Sequence, residues 1–139
     1  MPTRNIEDAT VRRMFVMGGW GFSALAVALG AAILFQDETR MKARGWTVAL
    51  SFGGPHFWGG WLLLFGTLMI TSMIIGHRGS GLMLAASVAV AFALFGRFMA
   101  SLQAMTDPMT SLTGPPVWFA LTCVYLAQGI VHSRAFAAQ

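Results

Sequence analysis

Acidic residues are scarce in this chain: five Asp and Glu stand among 139 residues, against nine Lys and Arg. Charged residues of both signs make up only 10% of it, far below what the surface of a water-soluble domain carries. No carboxylate pair is set for general acid–base work, there is no cysteine pair, and no glycine-rich phosphate loop occurs. The sequence therefore reads as a protein without catalytic chemistry and without a bound cofactor or metal. The single cysteine, Cys123, excludes an intrachain disulfide and is expected to be a small core residue. The nine cations are scattered and form no basic face, which excludes a nucleic-acid footprint.

What fills the chain is apolar. Hydrophobic residues are 56% of it, gathered in four windows, 14–35, 56–75, 81–102 and 115–132. A helix needs about 20 residues to cross a hydrocarbon layer of about 30 Å, and each window has that reach, the fourth most narrowly. Strands would need shorter alternating segments, which are absent. The expectation is an all-α integral membrane protein: one domain over 1–139, with four transmembrane helices in an antiparallel bundle and a polar, interfacial start at 1–13.

Connections follow from glycine and proline. Gly53-Gly54-Pro55 turns the chain into the second window with proline at the first helical position. Gly76-His77-Arg78-Gly79-Ser80 is a tight hairpin, and Gly114-Pro115-Pro116 opens the fourth window. Residues 36–55 form the longest connection, with an interfacial mix of cations and Trp46 in its middle. Arg12-Arg13 looks like a twin-arginine export signal and Ala28-Leu29-Gly30 like a cleavage site. The apolar run continues through Phe35, however, as a retained anchor would. With four spans both termini share a side. That side carries Arg4, Arg12, Arg13, Arg78 and Arg134, against Arg40, Lys42 and Arg44 on the other, so the termini are expected to be cytoplasmic.

Arg97 is the cation inside a window. An ionisable group at membrane depth costs a few kcal/mol and turns toward protein or water. At 100° per residue it shares a face with Ala86, Val90, Ala93, Ala100 and Ser101. The bulky Leu84, Val88, Phe92, Phe95, Met99 and Leu102 lie opposite. His56 and Asp107 fall near the same end, so Arg97, His56 and Asp107 form a candidate buried-charge or gating group. Either a carboxylate pair or snorkelling to the headgroups accounts for the arginine.

Small residues repeat on the first helix as Gly21, Ala24, Ala28, Ala31 and Ala32. These positions, with Ala86, Ala93 and Ala100 on the third helix, are candidate helix-packing faces, within the chain or between copies. Two polar stripes appear: His56, Gly60, Thr67 and Thr71 on the second helix, and Thr122, Tyr125, Gln128 and His132 on the fourth. Interhelical glue or a hydrated lining are the two readings. His77 and His132, at the ends of the second and fourth windows, are too shallow for a haem pair. Met14 is a possible second start, which would remove Arg4, Arg12 and Arg13.

Arg13-Met14-Phe15-Val16-Met17-Gly18-Gly19-Trp20, Pro55-His56-Phe57-Trp58-Gly59, the Gly-His-Arg hairpin and Thr113-Gly114-Pro115 give the chain a recognisable layout. It resembles the small four-helix, holin-like membrane proteins of actinobacterial bacteriophages along nearly its whole length. The resemblance implies a host cytoplasmic-membrane protein that self-associates in the bilayer and permeabilises it during lysis. The alternatives are a non-lytic interaction protein, such as an exclusion factor or accessory subunit, and a small transporter or redox carrier.

Overall fold

In the computed structural model, residues 3–35, 53–104 and 114–137 are described, and all regular structure among them is helical. Four long helices follow in order: α1 (Thr3–Leu34), α2 (Gly54–Ile75), α3 (Ser80–Ala104) and α4 (Gly114–Ala137). A single 3-10 turn (Gly76–Gly79) links α2 to α3. Three of them contain a stretch long and apolar enough to cross a membrane: Val16–Leu34, Gly54–Ile75 and Ser80–Gln103. α4 has the length but not the composition, because Thr122, Tyr125, Gln128 and His132 interrupt its apolar run.

The helix limits have local causes. Gly53 precedes α2 at φ 84°, a left-handed conformation open to glycine, and Pro55 then sits where its missing N–H costs nothing. Gly76, at φ 72°, ends α2 while its N–H donates to the Ser72 carbonyl. The Ser72 hydroxyl donates to the Gly79 carbonyl at 2.7 Å, so one serine ties both sides of the turn. The polar residues 3–13 form no separate interfacial helix; they are the first turns of one unbroken helix of 32 residues, about 48 Å long at 1.5 Å per residue. The expected interfacial stretch around Trp46 lies outside the described residues.

α1 packs mainly on α2, α3 mainly on α4, and α2 on α3; the α1–α4 contact is narrower. α3 supplies most of the core, with Met83, Ala86, Val90, Ala93 and Leu94 buried. Trp61 of α2 donates its indole N–H to the Ala89 carbonyl of α3 at 2.9 Å. The closest approach is between α1 and α2. A Cβ on Gly30 would stand 2.6 Å from the Leu63 nitrogen and 2.9 Å from the Gly59 carbonyl oxygen, and one on Gly66 2.9 Å from the Val27 nitrogen. These are backbone-to-backbone contacts, available only where no side chain intervenes.

The small residues that pack α1 are thus Gly19, Ser23, Ala26 and Gly30, all buried. Gly21, Ala24, Ala28 and Ala32, expected to pack either within the chain or between copies, are exposed among the described residues. Cys123, expected in the core, is also exposed.

Gly30 and Gly21 make a matched test. Gly30→Ala must push Leu63 backbone away and should lower stability by about 1–3 kcal/mol, the usual range for overpacking. Gly21→Ala meets nothing within 4 Å and should leave it unchanged or slightly raised. Thermal unfolding in mild detergent reads both, and equal effects would contradict the packing described.

Candidate functional site

Two places gather polar side chains within the apolar helices: the inward face of α4, and Arg97 near the opposite end. On α4, Tyr125, Gln128 and His132 are spaced by about one turn and are buried, with Thr122 a turn earlier. Each has a defined anchor. Tyr125 is fully buried and its hydroxyl donates to the Phe22 carbonyl of α1 at 2.7 Å, while its ring meets the Phe22 ring edge-on at 5.6 Å. The Gln128 amide lies 2.9 Å from His132 Nδ1. Thr122 donates to the Trp118 carbonyl of its own helix at 2.8 Å. The α1 side is cleared for these groups by glycine: a Cβ on Gly18 would stand 3.9 Å from Gln128 Oε1, and one on Gly19 2.9 Å from His132 Nε2.

Ser87 of α3 reaches the same region. A Cβ on Gly129 would lie 2.8 Å from the Ser87 Cβ, so the missing side chain at 129 lets α3 and α4 close together. The Ser87 hydroxyl is fully buried and has no protein hydrogen-bond partner. Ser23, also fully buried, instead donates to the Gly19 carbonyl one turn back, at 2.7 Å.

Arg97 is half-buried on the face of α3 that carries the buried Ala86, Val90, Ala93 and Ala100. Val88, Phe92, Phe95, Met99 and Leu102 are exposed on the other side, and Leu84 is half-buried. The arginine's guanidinium carbon lies 5.5 Å from the centroid of the Trp118 ring, at the start of α4. A cation over an indole face is held by the ring quadrupole, by about 0.5–2 kcal/mol depending on desolvation. Trp58 of α2 lies against Gly96 next door, 3.3 Å from where a Cβ would stand. His56 belongs to the same end but is exposed at the start of α2. Asp107 lies outside the described residues.

The second polar stripe lies elsewhere. Thr67 is exposed and donates to the Leu63 carbonyl at 2.7 Å; Thr71 donates to the Thr67 carbonyl at 2.9 Å. Both hydroxyls are satisfied by their own helix, so α2 and α4 do not turn two polar stripes toward one another. His77 falls in the 3-10 turn. Among the described residues, no group of three or more His, Cys, Asp or Glu comes together to hold a metal ion. Two features escaped the sequence reading: the Trp61–Ala89 hydrogen bond, which no spacing announces, and Gly19-x3-Ser23-x2-Ala26-x3-Gly30, a small-residue pattern visible in the sequence but competing with a second one on the same helix.

Compared with known proteins, the chain matches no family model, no curated protein and no solved structure. What it is therefore rests on its own geometry.

The Arg97–Trp118 contact can be isolated by a double-mutant cycle. Arg97→Ala and Trp118→Ala should each reduce stability in detergent, and the double variant should lose less than their sum, by about 0.5–2 kcal/mol. Arg97→Lys should be only partly tolerated, because an ammonium keeps the charge without the planar stack. Strict additivity would remove the contact from the account. Separately, Tyr125→Phe should cost about 0.6–1.7 kcal/mol, the range measured for interhelical hydrogen bonds in membranes.

Proposed function

We propose that the chain is an integral membrane protein whose four helices form an antiparallel bundle with both termini cytoplasmic. We further propose that it self-associates in the bilayer as a holin-like protein and permeabilises the membrane. The observation that carries self-association is the outward stripe Gly21, Ala24, Ala28 and Ala32. It is made of small residues and is exposed, with no part in the packing among the described residues. In lipid, where apolar contact alone gives helices little reason to associate, faces of small residues are the ones that let two backbones approach. Membrane residence is supported by the outer surface. Ile74, Phe92, Leu64 and Val117 are all more than half exposed, an arrangement that water penalises and lipid tails do not. The proposed side of the termini is supported by the arginine distribution, since Arg4, Arg12 and Arg13 belong to the start of α1, Arg78 to the α2–α3 turn and Arg134 to the last turns of α4.

A second reading, a non-lytic interaction protein, is favoured by a different observation. Tyr125, Gln128 and His132 are buried inside the bundle, while Thr67 and Thr71, in the middle of α2, have hydroxyls satisfied by their own helix. A surface so poor in polar groups suits contact with another membrane protein better than the wall of an aqueous pore.

Regulated expression in a bacterial host, followed with a potential-sensitive dye, separates the two. The holin-like reading expects abrupt loss of membrane potential after a delay; sustained growth with abundant protein in the membrane would overturn it and leave a stable co-purifying partner as the mark of the second. Self-association has its own readout. Ala24→Leu with Ala28→Leu should shrink the cross-linked oligomer while leaving the melting temperature of the detergent-solubilised chain within about 2 °C, since surface substitutions rarely exceed 0.5 kcal/mol.

A further inference from the structure

The four helices close on one another unevenly. α1 is seated on α2 and α3 on α4, the α2–α3 contact joins the two pairs, and α1 meets α4 over a much narrower seam. The two grips on α1 also lie apart along it. Gly59, Leu63 and Gly66 of α2 take it at Ala26, Val27, Gly30 and Leu34, whereas α4 meets it at Gly18, Gly19 and Phe22. On the α4 side the seam is made of Tyr125, Gln128 and His132, which fall at i, i+3 and i+7 and so share one face of that helix. All three are buried. The Tyr125 hydroxyl reaches across to the Phe22 carbonyl at 2.7 Å, the His132 ring lies where a side chain on Gly19 would stand, and Gln128 Oε1 faces Gly18. The outer face of α4 carries exposed Val117, Phe119, Leu126 and Ile130 instead. The polar side of α4 is thus covered by a helix whose backbone-to-backbone anchorage is elsewhere. α1 can tilt away from α4 about the contact at Gly30 and keep its seat on α2.

We propose that the α1–α4 seam is a gate, and that opening it turns Tyr125, Gln128 and His132 into a docking face for the same three residues of a second copy of this chain. The proposal rests on the reading that the chain self-associates in the bilayer, and names a surface that association adds to the α1 stripe. The occupant follows from the chemistry of the face. Uncovered in lipid, a phenol, an amide and an imidazole need hydrogen-bond partners, and the tails offer none. An apolar partner helix would leave all three unpaired. A second copy does not: the amide and the phenol each donate and accept, so the face is complementary to itself across a two-fold axis. Copies inserted in the same orientation bring equal depths together, and side chains of these types are the ones that hydrogen-bond across membrane helices.

The test uses the full chain in lipid vesicles on a Cys123→Ala background, with spin labels at Met17→Cys and Ile130→Cys. Both positions are exposed, one on α1 and one on α4, and labelled chain is diluted in unlabelled chain so that distances are measured within one copy. Tyr125→Phe, which removes the bond to α1 and keeps the ring, should raise the long-distance population by about 3- to 20-fold, the worth of one such bond expressed as an equilibrium. Gly19→Leu, which places atoms where the His132 ring stands, should make the long distance dominant. Each should enlarge the cross-linked oligomer. Adding Gln128→Leu and His132→Leu to Tyr125→Phe should reverse that growth while the long distance remains. Label distances unchanged by both Tyr125→Phe and Gly19→Leu would overturn the gate. Opening without a larger oligomer, or growth indifferent to Gln128→Leu and His132→Leu, would overturn the docking face. Two outcomes bear on the earlier reading alone. A wild-type chain that stays single while Tyr125→Phe associates removes the α1 stripe and supports this face, and oligomer growth without dye leakage from the vesicles supports it while removing permeabilisation.

Discussion

The rest of the structure depends on how closely α1 can approach α2. Gly30, Gly59 and Gly66 remove the side chains that would hold the two backbones apart, and the resulting contact is main chain on main chain. α1 has little other support. Its contact with α4 is narrow, and the hydrogen bond across it joins Tyr125 to the Phe22 carbonyl. Seating α1 against α2 also sets Gly18 and Gly19 opposite Gln128 and His132, so the glycine contact decides whether the buried polar groups of α4 have a wall to face. Helix placement and site geometry are thus one problem here, solved by omitting side chains at a few positions.

The two polar stripes illustrate how unequal side chains of similar polarity are. A threonine hydroxyl can donate to the carbonyl four residues back without leaving its helix, as Thr67 and Thr71 do. Tyr125 has a hydroxyl too far from its own backbone for that, and Gln128 and His132 carry more donor and acceptor capacity than one carbonyl can absorb. Groups of the first kind tolerate an apolar exterior; groups of the second turn inward. The same logic explains why Arg97 lies on the small-residue side of α3, against an indole face, and not among Phe92, Phe95 and Met99.

Much of this was legible in the sequence, and the reasons for the remainder are physical. The helices and the turn between α2 and α3 followed from apolar length, Pro55 and the Gly76–Gly79 cluster. The face of Arg97 was readable because α3 is small on one side and bulky on the other, so only one orientation puts alanines against neighbours. α1 offered no such contrast. It is small on two faces, Gly19–Ser23–Ala26–Gly30 and Gly21–Ala24–Ala28–Ala32, and composition cannot rank them; what ranks them is the matching pair of glycines on α2. The inward turn of Tyr125, Gln128 and His132 could be anticipated from their hydrogen-bonding needs, but their partners are backbone atoms and a glycine gap, which carry no mark in the sequence.

The continuity of α1 has a consequence for how the chain divides its labour. Arg4, Arg12 and Arg13 all precede Met14, whereas the glycines through which α1 closely approaches its neighbours run from Gly18 and Gly19 to Gly30. Met14 itself is exposed, and the helix passes through it unbroken. The three arginines and the glycine contacts therefore occupy consecutive parts of one helix. A product initiated at Met14 would keep every glycine contact and the buried Ser23, Ser72, Ser87, Thr122, Gln128 and His132 while shedding Arg4, Arg12 and Arg13. One gene could in this way supply two proteins with the same core and a different charge at the start of α1.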